Sequence, residues 1–181
     1  MFVTLEAKRV LVIGAGALAE HKVRALAPFG ADITIAAPEK PGGWAQNCHW
    51  IQSTYHRELL EGADCVICAI DDKEVSARIS QDCIKKKIPV NVVDEKDKCT
   101  FLFGSMITQG PLSIGISTDG ASPSAAHWLK EQILEMLPEN FDGLLSTLAN
   151  ERQGILSSVE DPKERATRFK ARFFELLEEE K

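Results

Sequence analysis

The most informative segment of the chain is residues 9–19, RVLVIGAGALA. It begins with an apolar run typical of a buried strand, turns at two glycines, and continues with the apolar spacing of a helix. The glycines match G-x-G-x-x-G/A, in which the first permits a tight turn, the second lets a pyrophosphate approach the backbone, and the small third residue allows close helix packing. An ordinary strand-to-helix turn is the alternative. The segment provides four candidate dinucleotide contacts: Gly14, Gly16, Ala17 and Leu18.

The residues after the second predicted strand are candidates for the ribose side of the same site. An acidic residue is expected there, about 20 residues after the glycines. Asp32 begins that strand and so lies at its wrong end, whereas Pro38 and Glu39 follow its far end. Glu39 is therefore the candidate, with an ordinary loop carboxylate as the alternative. Because no arginine follows the strand to receive a 2′-phosphate, the sequence favours NAD over NADP.

The N-terminal part of the chain alternates between short apolar runs and helical patterns. Strands are expected at 9–13, 33–37, 65–70 and 88–93, and helices at 17–28, 55–60 and 73–86. Near-continuous apolar strands with short helical connections are typical of βαβ units in a parallel sheet covered on both faces. We predict an α/β fold with a Rossmann-like, doubly wound parallel sheet.

The pattern changes in the C-terminal part of the chain. Two strands joined by a turn are expected within 101–117, and helices follow almost to the end. We place the domain boundary near residue 110, with a dinucleotide-binding domain at 1–110 and a strand pair and helical region at 111–181. Because the second region has few apolar residues for a core of its own, we expect it to form a homodimer.

Composition excludes several other classes of protein. A formal net charge of −6 disfavours nucleic-acid binding, and the apolar runs are too short to cross a bilayer. The first residues lack the pattern of a signal peptide, so we expect a cytoplasmic protein. An odd count of 5 cysteines suits reduced thiols. Cys65 and Cys68 form a C-x-x-C, but on a strand they would face opposite sides, and we predict no metal site.

Two further segments carry polar groups that suit chemistry. Asp94 follows the strand at 88–93, and ligands of open α/β sheets bind at that edge. A carboxylate there can take a proton while a hydride leaves for nicotinamide, although a simple turn residue is the alternative. The loop at 117–123 offers hydroxyls and backbone N–H groups to an anion, with helix capping as its alternative.

Together these motifs resemble the dehydrogenase–chelatase family that makes siroheme. The resemblance covers about residues 10–137 and is carried by a lysine in the first helix, Lys22, and by three short motifs. The motifs are Ala69-Ile70-Asp71-Asp72, Asn91-Val92-Val93-Asp94 and Ser117-Thr118-Asp119-Gly120-Ala121-Ser122-Pro123. The last is the most specific of the set.

The resemblance implies oxidation of precorrin-2 to sirohydrochlorin with NAD in a homodimer. It implies that Asp94 is the catalytic carboxylate, that Ser122 lines the tetrapyrrole site, and that Asp71 lies near the cofactor. Some members of the family also insert ferrous iron into sirohydrochlorin, and the sequence leaves that activity open. No methyltransferase domain is attached in this sequence, unlike in the fused members.

The substrate of that family carries many carboxylates, whereas this chain is acidic. Local cations must offset the repulsion, and solvated surface charge is the alternative for each candidate. The candidates are Lys22, Arg24, Lys96, Lys98 and His127.

Three residues depart from the family pattern, namely Ile70, Ser76 and Gly104. The first two border the expected nicotinamide region and bear on cofactor affinity. A non-catalytic NAD- or tetrapyrrole-binding domain, acting as a sensor or carrier, therefore remains the alternative. A third possibility is an oxidoreductase with another substrate, because the fold alone permits many chemistries.

Overall fold

The computed structural model describes residues 3–179. The chain divides into two compact units, the first ending at Phe103 and the second beginning at Gly104. This division falls earlier than the boundary expected near residue 110. The reason is that the strand at Ser105–Gln109 pairs with the strand at Leu112–Ile116, so both belong to the second unit.

The first unit contains five strands and two α-helices among its described residues. In chain order these are β1 (Arg9–Ile13), α1 (Ala17–Leu26), β2 (Asp32–Ala37), β3 (His49–Gln52), β4 (Cys65–Cys68), α2 (Lys73–Lys86) and β5 (Val90–Val92). The helical stretch expected before β4 is only a 3-10 turn at Arg57–Leu60.

All five strands are parallel, in the order β3-β2-β1-β4-β5. The chain therefore builds outward from β1 on one side and then crosses to its other side to form β4. The order reverses between β1 and β4, and in such sheets ligands bind beside the carboxyl ends of the strands at that reversal. The predicted Rossmann-like parallel sheet is confirmed.

Two hydrophobic clusters cover the two faces of this sheet. Side chains alternate along β1, so Val10 and Val12 join one cluster while Leu11 and Ile13 join the other. Helix α1 packs on the first cluster through its buried residues Ala19, Val23 and Leu26, and α2 packs on the second through Ile79 and Cys83. One helix on each face makes the sheet doubly wound, as predicted.

The two cysteines of the C-x-x-C lie on opposite faces of β4. Cys65 packs against the first cluster and Cys68 is buried in the second. Within residues 3–179, no group of three or more histidine, cysteine or acidic side chains could hold a metal ion. In the same range, no helix is both long and apolar enough to cross a membrane.

The second unit consists of a hairpin and three helices. They are β6 (Ser105–Gln109), β7 (Leu112–Ile116), α3 (Pro123–Met136), α4 (Phe141–Ser158) and α5 (Pro162–Glu179). The hairpin is antiparallel, with Ile107 opposite Ile114. Phe141 meets Phe173 edge-on at 6.5 Å between ring centroids, and Arg172 holds Glu151 through two hydrogen bonds of 2.8 and 2.9 Å. These contacts join α4 to α5, so the predicted strand pair and helical region are confirmed.

Candidate functional site

A cleft lies in the first unit at the carboxyl ends of β4 and β5, beside the start of α1. It encloses about 630 Å³, and Leu18, Asp71 and Asp94 are among its lining residues. These are three residues that the sequence predicted for cofactor binding and catalysis. Because Leu18 lies in α1 while Asp71 and Asp94 follow β4 and β5, only the fold brings them together.

The glycine turn fits tightly against the end of β4. Gly14 has a φ of 111°, and its N–H donates to the carbonyl oxygen of Ala36 at 2.9 Å. A Cβ on Gly14 would collide with the carbonyl oxygen of Ala69 and lie 3.1 Å from Cγ2 of Ile70. Both the backbone conformation and the space therefore require glycine at this position.

The second glycine faces open space instead. Gly16 has extended backbone at the N-terminus of α1, where no side chain caps the helix. A Cβ on Gly16 would meet no atom within 4 Å. Ala17 and Leu18 are exposed on the first turn, whereas Ala19 is fully buried against the sheet. The turn therefore offers uncapped backbone N–H groups beside a small, accessible residue, as an anion site requires.

Pro38 and Glu39 lie exposed at the carboxyl end of β2. The strand end is held by β3, because Nε1 of Trp50 donates to the Ala37 carbonyl at 3.1 Å and Nε2 of Gln52 donates to the Pro38 carbonyl at 3.3 Å. Asp32 lies at the opposite end of the strand, 3.8 Å from Nε2 of His49. The geometry thus separates the two acidic candidates as the sequence predicted.

The two aspartates after β4 have different roles. Asp72 caps α2, because its carboxylate accepts hydrogen bonds from the backbone N–H groups of Glu74 and Val75, each at 3.0 Å. Asp71 is exposed and lines the cleft. Helix capping therefore occupies one carboxylate and leaves the other facing the cleft.

Asp94 lies in the loop that follows β5. It is exposed and has a φ of 62°, in the left-handed region that aspartate adopts more readily than most residues. The loop continues with a 3-10 turn at Lys96–Lys98, and Lys98 forms an ion pair with Glu95. Lys73, Lys96 and Lys98 line the cleft with Asp94. Asp71, Glu95 and Asp97 line it as well, so charges of both signs surround the Asp94 carboxylate.

Lys22 belongs to the same neighbourhood. Its Nζ lies 4.5 Å from the ring centroid of Phe103, an attractive cation–π distance. Burial lowers the pKa of Lys22, and the negative charge of Asp94 opposes that shift. The sequence identified Lys22 but missed Phe103, which reads as an ordinary apolar residue.

Sequence reasoning also missed Lys73 as a residue of the cleft. Its position directly after Asp71-Asp72 was the available signal. Of the departures from the family pattern, Ile70 lines the cleft, whereas Ser76 is buried and its Oγ lies 3.5 Å from the Cys68 thiol. Gly104 approaches β7 closely, since a Cβ there would lie 2.8 Å from the Ile116 carbonyl oxygen.

Ser122 and His127 lie in the second unit, at the start of α3. Ser122 caps that helix, because its Oγ accepts from the Ala125 N–H at 3.1 Å. Thr118 supports the cap by accepting from the Ser122 N–H at 3.2 Å and donating to its carbonyl oxygen at 3.1 Å. His127 is exposed, with Nε2 3.3 Å from a Glu131 oxygen. The capping alternative is thus present, and contact with a ligand stays a prediction.

The chain is similar to several known proteins. A family model described as putative NAD(P)-binding matches residues 1–105, and one described as sirohaem biosynthesis protein central matches residues 109–136. A siroheme synthase of Methylobacillus flagellatus is 32% identical over 160 residues, which are 86% of this chain and 34% of that protein. Siroheme synthase 1 of Pectobacterium atrosepticum is 34% identical over 154 residues, 82% of this chain and 32% of its own length. The chain thus spans about a third of these relatives.

The fold also matches a solved structure. A protein described as SirC, precorrin-2 dehydrogenase, superposes with a TM-score of 0.77 at 21% identity, over 99% of this chain and 96% of that one. At that identity the match supports the fold alone, including the hairpin and the C-terminal helices.

Proposed function

Since the chain belongs to the putative NAD(P)-binding family and carries the central segment of the sirohaem biosynthesis proteins, we propose that it oxidises precorrin-2 to sirohydrochlorin with NAD. One observation carries the proposal: Leu18, Asp71 and Asp94 line a single cleft at the carboxyl edge of the parallel sheet. That edge, beside the reversal of strand order, is where a dinucleotide binds in this architecture.

The residues present fit a dinucleotide. Gly14 leaves no room for a side chain, and the uncapped start of α1 beyond it supplies N–H donors for the pyrophosphate. Glu39, exposed after β2, is proposed to accept hydrogen bonds from a ribose. When bound, NAD would supply the hydride acceptor. NAD is proposed over NADP because a carboxylate at this strand end repels a 2′-phosphate.

Asp94 is proposed to take the proton that the oxidation releases. Precorrin-2 loses two electrons and one hydrogen as hydride to NAD, and a second hydrogen leaves as a proton, so a base near the ring is required. Asp94 faces the cleft as an exposed carboxylate. Its position at the cleft suits this role better than that of Asp72, which caps α2.

The lysines around Asp94 are proposed to bind the carboxylates of the tetrapyrrole. Lys73 and Lys96 line the cleft, and Lys22 is held nearby by Phe103. These cations reduce the repulsion between a polyanionic substrate and a cleft that Asp71, Asp94, Glu95 and Asp97 also line. Ser122 and His127 of the second unit are proposed as further substrate contacts.

The test is anaerobic turnover of precorrin-2 with NAD, followed through NADH and the spectrum of sirohydrochlorin. We expect native protein to form both products and Asp94→Asn to lose at least about 100-fold in kcat, the range of a lost general base. Asp32→Asn is the matched control, since this carboxylate lies at the opposite end of the sheet, and it should keep native turnover.

Two results would contradict the proposal. A folded native protein that binds NAD or tetrapyrrole without turnover would favour the sensor or carrier function instead. Turnover with NADP equal to that with NAD would refute the cofactor assignment alone. Ferrous iron would be a substrate here, and adding it after oxidation tests whether the chain also forms siroheme.

We also propose that the second unit forms a homodimer. Helix α3 exposes an apolar stripe along one face, with Trp128 58%, Leu129 39% and Met136 76% exposed. These residues recur at helical spacing, so they lie on one side of the helix. An exposed stripe of this kind is typical of an interface between chains.

A further inference from the structure

The loop that carries Asp94 is built around one sulfur atom. The Cys99 thiol lies 3.2 Å from both the N–H and the carbonyl oxygen of Val92 and 3.3 Å from the carbonyl oxygen of Glu95. Val92 and Glu95 flank the short turn that contains Asp94. The sulfur therefore contacts the backbone on both sides of the proposed catalytic residue.

The hydrogen bonds of the sulfur divide into accepting and donating contacts. Cys99 accepts from the Val92 N–H and, at 3.6 Å, from Nδ2 of Asn91. Its single hydrogen is donated to the carbonyl of either Val92 or Glu95, one at a time. Asn91 also donates to the Phe101 carbonyl at 3.0 Å, which ties β5 to the chain beyond the loop. These contacts hold Cys99, at the end of the loop, against Val92 at its start.

The turn needs such support because Asp94 adopts a left-handed conformation at φ 62°. That conformation is strained for a residue with a Cβ, and it persists where the surroundings fix it. The Glu95 N–H donates to the Val92 carbonyl oxygen at 3.3 Å, which is long for a backbone hydrogen bond across a turn. The two-sided contact with sulfur supplements it.

We infer that Cys99 is a positioning residue, whose thiol holds the turn so that the Asp94 carboxylate faces the cleft. The inference deepens the proposed function, on which its kinetic test rests. A thiol suits this role because it is small and half-buried and can both accept and donate hydrogen bonds. The C–S bond of cysteine is longer than the C–O bond of serine, so the sulfur reaches these backbone atoms better than a serine hydroxyl would.

The experiment compares Cys99→Ala and Cys99→Ser with Cys48→Ala, which removes a half-buried thiol from the loop before β3. We expect Cys99→Ala to lower kcat about 10- to 100-fold with KM for both substrates changed less than about twofold, because the base is displaced while binding remains. Cys99→Ser should recover part of the loss. Cys48→Ala should keep native kcat.

A second readout is independent of activity. In Cys99→Ala the Val92 amide should exchange its hydrogen up to about tenfold faster, because it loses its acceptor. The Val93 amide is the internal control, since it donates to the Cys68 carbonyl at 2.9 Å and should keep native exchange. The NMR resonances of Asp94 should also shift as its backbone changes.

The outcomes separate the two proposals. Native kcat in Cys99→Ala, or unchanged Asp94 resonances, would overturn the positioning role. An additional loss when Cys99→Ala is combined with Asp94→Asn would also overturn it, because a residue acting only through Asp94 adds nothing once that carboxylate is gone. If the native protein shows no turnover, the dehydrogenase proposal fails, and the Asp94 resonances alone decide the role of Cys99.

Discussion

At the scale of single residues, the two glycines of the first turn meet different demands. Gly14 is constrained by its positive φ and by the Ala69 carbonyl behind it, whereas Gly16 has room for a side chain. The same sequence motif thus contains one position fixed by the fold and one that borders the expected ligand. Substitutions can separate the two effects.

Gly14→Ala should lower both stability and cofactor binding. We expect the free energy of unfolding to fall by roughly 2 kcal/mol, because alanine is strained at this φ and collides with the Ala69 carbonyl oxygen after β4. Urea unfolding measures that loss. Gly16→Ala is the control: it should unfold as the native protein does but bind NAD more weakly in calorimetry. Equal stability of all three proteins would refute the constraint at Gly14.

Tyr55 offers a pH prediction, because it is the only tyrosine of the chain. Burial and its hydrogen bond to Asp82, 3.0 Å long, raise the pKa of Tyr55 well above the ordinary 10.0. The unfolded chain therefore releases this proton first, so the phenol's contribution to stability is complete below pH 10 and is lost as pH rises above it.

Near-ultraviolet absorbance of the phenolate tests this directly. The Tyr55 phenol should ionise at a higher pH in the folded protein than in the urea-unfolded chain. Asp82→Asn should lower the pKa of Tyr55 in the folded protein part of the way toward its unfolded value. Burial alone should keep it raised in that variant. Coincident titration of folded and unfolded chains would contradict the prediction.

At the scale of elements, α2 begins at a side-chain cap. Asp72→Ala removes an acceptor for two backbone N–H groups and should cost about 1 kcal/mol of unfolding free energy. Asp72→Asn should cost much less, since asparagine also caps helices. Thermal and urea unfolding of the two variants make the comparison. Equal losses would mean that the charge, and not the hydrogen bonds, carries the effect.

Four of the five strands and both α-helices of the first unit could be predicted because each has a local signal, whereas β3 is a short, mostly exposed strand without one. Glycines mark the turn before α1, and Asp71-Asp72 marks the start of α2. The loop at Asp94 has no such signal. Its left-handed residue is an aspartate instead of a glycine, and its sulfur contacts join Val92 to Cys99, seven residues later in the sequence. The contact of Lys22 with Phe103 likewise joins residues far apart in the chain.

At the scale of the whole molecule, the proposed homodimer predicts a solution mass of two chains. Trp128→Glu should shift sedimentation toward the single chain, because a charge on the exposed stripe of α3 must be desolvated in the interface. Leu134→Glu is the control, since this residue is 44% exposed on another side of the same helix. A native protein that sediments as one chain at micromolar concentration would contradict the proposal.

The two units of the chain differ in how their candidate residues are arranged. The parallel sheet defines a cleft through strand ends, and the second unit offers a capped helix and an exposed stripe. Ser122 and His127 therefore stay predictions until a tetrapyrrole is bound, whereas Asp71 and Asp94 already share a cleft. Ligand-induced protection of Ser122 against hydrogen exchange is the direct measurement.

Cys65 and Cys68 lie on opposite faces of β4, so their reactivity can report local opening on each face of the sheet. Cys65 senses the layer beneath α1, and Cys68 senses the layer beneath α2. Burial raises the pKa of Cys65 to about 11 and also raises that of Cys68, so each thiol reacts with an alkylating reagent faster when its own layer opens. The ratio of the two labelling rates in unperturbed protein therefore measures whether the faces of the sheet come apart together or one at a time.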